Sequence, residues 1–257
     1  MAVKEAYLTI DDAPGKDFRN KVAFLAQHDI PAIFFCVGEN ILQHEEEVIA
    51  AIRRGFVIGN HSWTHPHFSD LPVAEGQQEI RRTDEAIETV YRKSGIARPA
   101  KVFRFPFFDD GGAANAAEYE ARSEQPSGEN PVCPREDRRA ALQSFLGELG
   151  YRQPDFRGIN LQWASGQKLL DGYDVRCTFD QLEYWLNQPG APGGLNQPAA
   201  ILARIEADDP ENGKALNRLD TRDIILIHDH DPEASVALFY QIIRRYLEKG
   251  IRFITPF

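Results

Sequence analysis

Five of the chain's seven histidines fall in two short clusters, His61, His65 and His67 in one and His228 and His230 in the other. Surface histidines scattered at random would not group this way. Each cluster follows a short apolar run, just as Asp11-Asp12 follows Tyr7-Leu8-Thr9-Ile10 and Arg104 follows Val102-Phe103. His61 and His65 are four apart, a spacing that can set two imidazoles on one side of a helical turn that Pro66 then ends. One added carboxylate gives two nitrogens and one oxygen with coordination positions left open, as catalytic metal sites require. Asp12 is the candidate. If the chain turns there, Asp11 faces the metal-bound water, whose pKa coordination lowers, and serves as general base when that water attacks a carbonyl. Arg104 is expected close to Asp11, orienting it electrostatically. Amide hydrolysis also needs a proton for the departing amine, which His228 can give. The oxyanion needs donors, from the metal and from a backbone N–H in the Phe105–Phe107 loop, whose shape Pro106 helps to fix. No role is assigned to His230 or Asp231. Each feature alone has a plain structural reading: a hydrogen-bonded histidine, an Asp-Asp turn or cap, a salt-bridged arginine at a strand end. Their joint occurrence after four apolar runs favours the catalytic one.

The elements that must position these groups alternate between strand and helix. Apolar, β-branched runs at Ala6–Ile10, Ala32–Val37, Phe56–Ile58, Val102–Phe105, Asp174–Phe179, Ile224–Ile227 and Ile251–Ile254 read as strands. Amphipathic stretches carrying Phe18, Val22 and Leu25, and at Glu45–Arg54, Glu75–Lys93, Arg138–Leu149 and Pro232–Glu248, read as helices. The alternation predicts a parallel sheet closed into a barrel, at whose C-terminal strand ends active sites sit. Two stretches rich in glycine, proline and polar residues, 109–137 and 187–213, interrupt it and read as long loops, candidate walls for a substrate.

With 257 residues and 42% hydrophobic content, one domain with a sizeable core is expected. A net charge of −10 argues against an electrostatic grip on nucleic acid or an anionic membrane. No apolar run is long enough to span a bilayer and no signal-peptide pattern is visible, which predicts a cytoplasmic protein, or a secreted one if a leader has been removed. Cys36, Cys133 and Cys177 are too few and too far apart for a disulfide framework or a CxxC zinc site.

In order and content these residues resemble the polysaccharide deacetylase family, the NodB-like carbohydrate esterases of family 4. Thr9-Ile10-Asp11-Asp12 is similar to its TFDD motif and His61-Ser62-Trp63-Thr64-His65-Pro66 to its H(S/T)xxHP motif. Arg104-Phe105-Pro106-Phe107 resembles RxPY, and Leu226-Ile227-His228 resembles LxH. The resemblance covers residues 5–108 and 222–257, with a poorly matched middle. It implies an α/β fold, a distorted (β/α)7 barrel. It also implies a divalent metal on Asp12, His61 and His65 (zinc, with cobalt or nickel as alternatives), Asp11 as base and His228 as acid. Phe107 stands where the family has Tyr, a change that leaves a backbone N–H donor intact. The fourth motif, DxxDW, has its best match in Asp180-Gln181-Leu182-Glu183-Tyr184. A carboxylate there would tune the acid histidine, so Asp180 and Glu183 are both candidates, against a competing reading as helix cap and first-turn acid. Trp163 and Trp185, with the phenylalanines at 105, 107 and 108, are candidates for an aromatic floor under a sugar ring, although aromatics at strand ends are more often core.

The reaction implied is hydrolysis of N-acetyl groups on amino sugars of an oligo- or polysaccharide. O-acetyl ester deacetylation and a non-catalytic carbohydrate-binding role are the alternatives. Non-haem iron oxygenases share the two-His-one-carboxylate set, but oxygen activation gives no reason for Asp11, Arg104 and His228.

Overall fold

The computed structural model of the protein describes residues 3–113, 136–159, 172–208 and 216–257. Strand β1 (Glu5–Ala13) lies at the centre, paired in parallel with β2 (Ala32–Cys36), β5 (Asp223–His228) and the short β6 (Arg252–Phe253). The sheet runs in the order β3-β2-β1-β5-β4, with β3 at Val57–Asn60 and β4 at Phe179–Asp180, and every pairing is parallel. Single bridges from Asn60 to Phe103 and from Phe103 to Asp174 carry the circuit round to the segment that enters β4. The result is the strongly distorted (β/α)7-type barrel the sequence predicts.

Side-chain alternation divides the strands between two apolar layers. Leu8, Ile10, Phe34, Ile58, Ile225 and Ile227 pack outward against helices, whereas Tyr7, Ile33, Phe35, Val57, Val102 and Ile224 fill the interior. Tyr7, Thr9 and Asp11 therefore share the inward face of β1, and Asp11 comes last, at the mouth. Around the barrel lie α1 (Phe18–Gln27), α2 (Gly38–Gln43), α3 (Glu45–Arg53), α4 (Val73–Ser94), α5 (Glu136–Glu148), α6 (Pro198–Ala203) and α7 (Glu233–Glu248). The buried stripe of α4, Ile80, Ile87, Val90 and Tyr91, repeats at the helical period. Gly95 ends that helix at φ 76°, a left-handed cap conformation that a side chain would strain.

Several sequence expectations shift. The strand expected over Val102–Phe105 contracts to the bridge at Phe103, because the chain leaves the sheet for the irregular turn that follows. The expected strand at Asp174–Phe179 splits into the Asp174 bridge and β4. Helix α2 was not anticipated, since Gly38 and Asn40 are poor helix formers. The stretch 187–213 is less of a loop than its composition suggests, for its described part holds a 3-10 turn at Pro192–Gly194 and α6. Most of 109–137 lies outside the described residues, and its end already belongs to α5. Among the described residues no helix is long and apolar enough to cross a membrane.

Candidate active site

The two aspartates are separated by a bulge rather than a turn. Asp11 stays in the ladder with β5, directly opposite His228, while the register against β2 slips between Ile10 and Ala13. Asp12 takes up the slip at φ 62°, a left-handed conformation that aspartate tolerates better than most residues. Both carboxylates thereby reach the barrel mouth, as the strand alternation alone would not allow.

His61 and His65 are likewise brought together without a helical turn. After β3 the chain is irregular, with Ser62 at φ 65° and His65 at φ 59°. Buried Asn60 fastens the loop's start, accepting from the Ser62 N–H at 2.9 Å and donating to Ile80 O and the Tyr151 hydroxyl. Glu79 of α4 fastens its middle, accepting from the N–H groups of Trp63 and Thr64 at 2.8 and 2.7 Å. The spacing of four was informative, but these hydrogen bonds, not helix periodicity, realise it.

Asp12, His61 and His65 each offer one ligand atom, all within 4.8 Å of one another. The Nε2 atoms of His65 and His61 lie 3.0 and 3.4 Å from Asp12 Oδ1. His61 Nδ1 is 2.8 Å from the Arg104 carbonyl oxygen, so that bond carries its proton on Nδ1 and leaves the Nε2 lone pair available to a metal. Asp12 Oδ1 is buried and has no hydrogen-bond partner. An orphaned acceptor facing two imidazole nitrogens fits a divalent cation of intermediate softness. Burial works against ionisation of Asp12, yet the imidazoles of His230, His61 and His65 around it hold its carboxyl well below the usual range.

On one side of this set, fully buried Arg104 donates from Nη1 to Asp11 Oδ1 at 2.7 Å and to Thr9 Oγ1 at 2.9 Å, with Nε on Val175 O. On the other, Glu183 Oε1 accepts from both the backbone N–H and Nδ1 of His228, at 2.5 and 2.9 Å. Burial disfavours the His228 cation, but the Glu183 carboxylate, joined by those of Asp12 and Asp11, outweighs it and raises the imidazole to about 10. Of the two fourth-motif carboxylates, Glu183 is thus the one seen against the histidine. Asp180 lines the same cleft and accepts from the Leu182 N–H at 2.9 Å, a turn-capping contact.

The cleft measures about 330 Å³ and is lined by Asp11, Asp12, His61, His65 and His228 together with aromatic rings. Phe107 is half exposed and left-handed at φ 56°, its ring stacked on His67 at 3.9 Å and edge-on to His65 at 4.6 Å. Phe105 touches the cleft, but its ring is buried against Phe68 and Phe103, so it belongs chiefly to the core. Pro106 is buried in the 3-10 turn between them. Trp163 lies outside the described residues. Sequence reasoning left His230 without a role, yet its Nε2 sits 3.1 Å from Asp12 Oδ2. Its place two residues beyond His228, at the end of a central strand, was the available signal.

Known proteins share this fold and part of this sequence. The polysaccharide deacetylase family matches residues 1–121. A chitooligosaccharide deacetylase of Rhizobium leguminosarum bv. trifolii is 33% identical over 85 residues, which is 33% of this chain and 40% of the relative. A peptidoglycan-N-acetylglucosamine deacetylase of Bacillus cereus is 36% identical over 104 residues, 40% of this chain and 36% of the relative. The chain therefore matches well under half the length of either relative. Among solved structures, the chitin deacetylase of Colletotrichum lindemuthianum superposes with a TM-score of 0.60 at 20% identity, covering 99% of this chain and 86% of that one. The resemblance read from the motifs agrees with these likenesses: residues 1–121 are similar to the polysaccharide deacetylase family, and the fold is that of the family 4 carbohydrate esterases.

Proposed function

We propose that the protein is a metal-dependent hydrolase, formed as one catalytic domain, that removes N-acetyl groups from amino sugars of an oligo- or polysaccharide. The observation that carries this reading is the cleft itself. An Asp-His-His set with an orphaned carboxylate oxygen stands between an arginine-held aspartate and a glutamate-held histidine. The names of the relatives, deacetylases of chitooligosaccharide and of peptidoglycan N-acetylglucosamine, support the choice of substrate class.

Asp12, His61 and His65 would hold the cation, with zinc the first choice and cobalt or nickel able to substitute. When bound, it supplies Lewis acidity to the reacting water and acyl oxygen. Asp11, fixed by Arg104, takes a proton from water as the water oxygen attacks the acetyl carbon. A backbone N–H within Phe105–Phe107 stabilises the negative charge that grows on the acyl oxygen. His228 then gives its proton to the nitrogen as the carbon–nitrogen bond breaks, and Glu183 keeps that imidazole charged until the step occurs. The products are acetate and a free amino sugar. Phe107 offers the exposed ring on which a sugar face can rest.

The test is acetate release from N-acetylglucosamine oligomers, N-acetylgalactosamine oligomers and acetylated xylan, using chelated protein and the same protein reconstituted with zinc or cobalt. Metal-dependent release from an amino sugar is expected. Release from xylan alone would make the protein an ester deacetylase, and no release from any substrate by metal-loaded protein would overturn the catalytic reading.

A further inference from the structure

Three imidazoles surround Asp12, one more than the metal set uses, and the third approaches the other carboxylate oxygen. His230 Nε2 lies 3.1 Å from Oδ2, whereas His61 and His65 face Oδ1. An ionised carboxylate has no proton to give, so His230 is the donor in this bond. The carboxylate is thereby divided, Oδ2 committed to a hydrogen bond and Oδ1 left buried without one. A donor on one oxygen fixes the rotation of the carboxylate and directs the other to the ligand position.

His230 is itself firmly placed. Its ring stacks on His228 at 5.1 Å with planes 18° apart. Its carbonyl oxygen accepts from Lys21 Nζ at 3.2 Å, and Lys21 makes a fully buried ion pair with the preceding residue, Asp229. Asp229 Oδ2 also accepts from the Gly15 N–H at 2.8 Å, and Asp231 Oδ1 accepts from the Lys16 N–H at 2.6 Å. The loop after β1 and the loop after β5 are thus laced together, so closely that a Cβ on Gly15 would stand 2.6 Å from Asp231 Oδ1. Burying Lys21 and Asp229 away from water is costly unless the pair is well satisfied, and here its geometry serves to hold the His230 backbone beside Asp12.

We infer that His230 is a positioning residue for the metal ligand Asp12, holding its carboxylate so that only Oδ1 faces the cation, and that the Lys21–Asp229 pair sets His230 in place. This rests on the proposed ligand role of Asp12, His61 and His65. The test is calorimetric titration of chelated protein with zinc, and with cobalt as a spectroscopic check, for wild type, His230→Ala, His230→Gln and His61→Ala. His230→Ala should weaken metal affinity by about 10- to 100-fold with an unchanged melting temperature of the metal-free protein. His230→Gln, whose amide N–H can donate to Oδ2, should recover most of the loss. Unchanged affinity in His230→Ala would overturn the inference and leave the metal site standing. Loss as complete as in His61→Ala, with no recovery by Gln, would also overturn it, since His230 would then be a ligand. A wild type that binds neither ion would remove the metal site itself.

Discussion

Substituting Glu183 by Gln keeps the shape and an acceptor oxygen beside His228 Nδ1 while removing one charge. In the intact site the imidazole is raised from 6.5 to about 10 although burial pulls the other way, a difference equivalent to roughly 5 kcal/mol in favour of the cation. Glu183 is the strongest influence on that side; without it burial faces only the carboxylates of Asp12 and Asp11. Relaxation of the cleft and entry of water will blunt the change, so a fall of at least two pH units is the expected outcome. The assay is nuclear magnetic resonance titration of His228 in metal-free protein, paired with kcat/KM at neutral pH, where loss of the acid should cost about 100- to 1,000-fold. Stability follows with a definite sign. A folded-state value above the unfolded 6.5 stabilises the fold fully below that pH and ceases to do so as pH rises through about 10. The melting-temperature gap between wild type and variant should therefore be wider at pH 6 than at pH 10. A Gln variant whose imidazole still titrates near 10, with kcat/KM intact, would refute this account of His228.

Asp11→Asn should reduce turnover by about 100- to 10,000-fold while metal binding, read by calorimetry, is retained. His61→Ala and His65→Ala should each lose metal and acetate release together, and a variant of either that binds zinc like wild type would break the ligand assignment. Phe34→Ala, at a fully buried β2 position between the rings of Phe18 and Phe56, should cost about 3–5 kcal/mol in denaturant unfolding. Phe107→Ala should raise KM for oligosaccharides more than it lowers kcat if its exposed ring bears the sugar, as proposed, and leaves the reacting atoms alone.

The barrel was legible because its strands are continuous apolar runs and its long helices carry a clean stripe, as Ile80, Ile87, Val90 and Tyr91 do on α4. The clusters at the strand ends were legible because titratable side chains there break an apolar pattern. What sequence could not convey was local backbone geometry. Nothing in Asp11-Asp12 announces a bulge, and nothing in His61–His65 announces two left-handed residues fastened by Asn60 and Glu79. The choice between Asp180 and Glu183 depended on a left-handed Leu182 that turns the later side chain toward His228. His230 went without a role because its partner is 218 residues away, and its place beside His228 marked it as near the site without saying what it touches.

Asp11 and His228 stand opposite each other in the β1–β5 ladder, so the two groups that would exchange protons with the reactants share one rung. Parallel strands keep that separation near 4.8 Å whatever loops surround them. The three proposed ligands and Arg104 come from the first 104 residues, whereas Glu183, His228 and His230 come from beyond residue 180. Changes in the loops that follow β1 and β5 therefore leave the pairing of Asp11 with His228 untouched. The same rung imposes a limit on engineering: an insertion of one residue in either strand would turn Asp11 or His228 to the helix-packed face, so the proposed chemistry should be lost at once rather than by degrees.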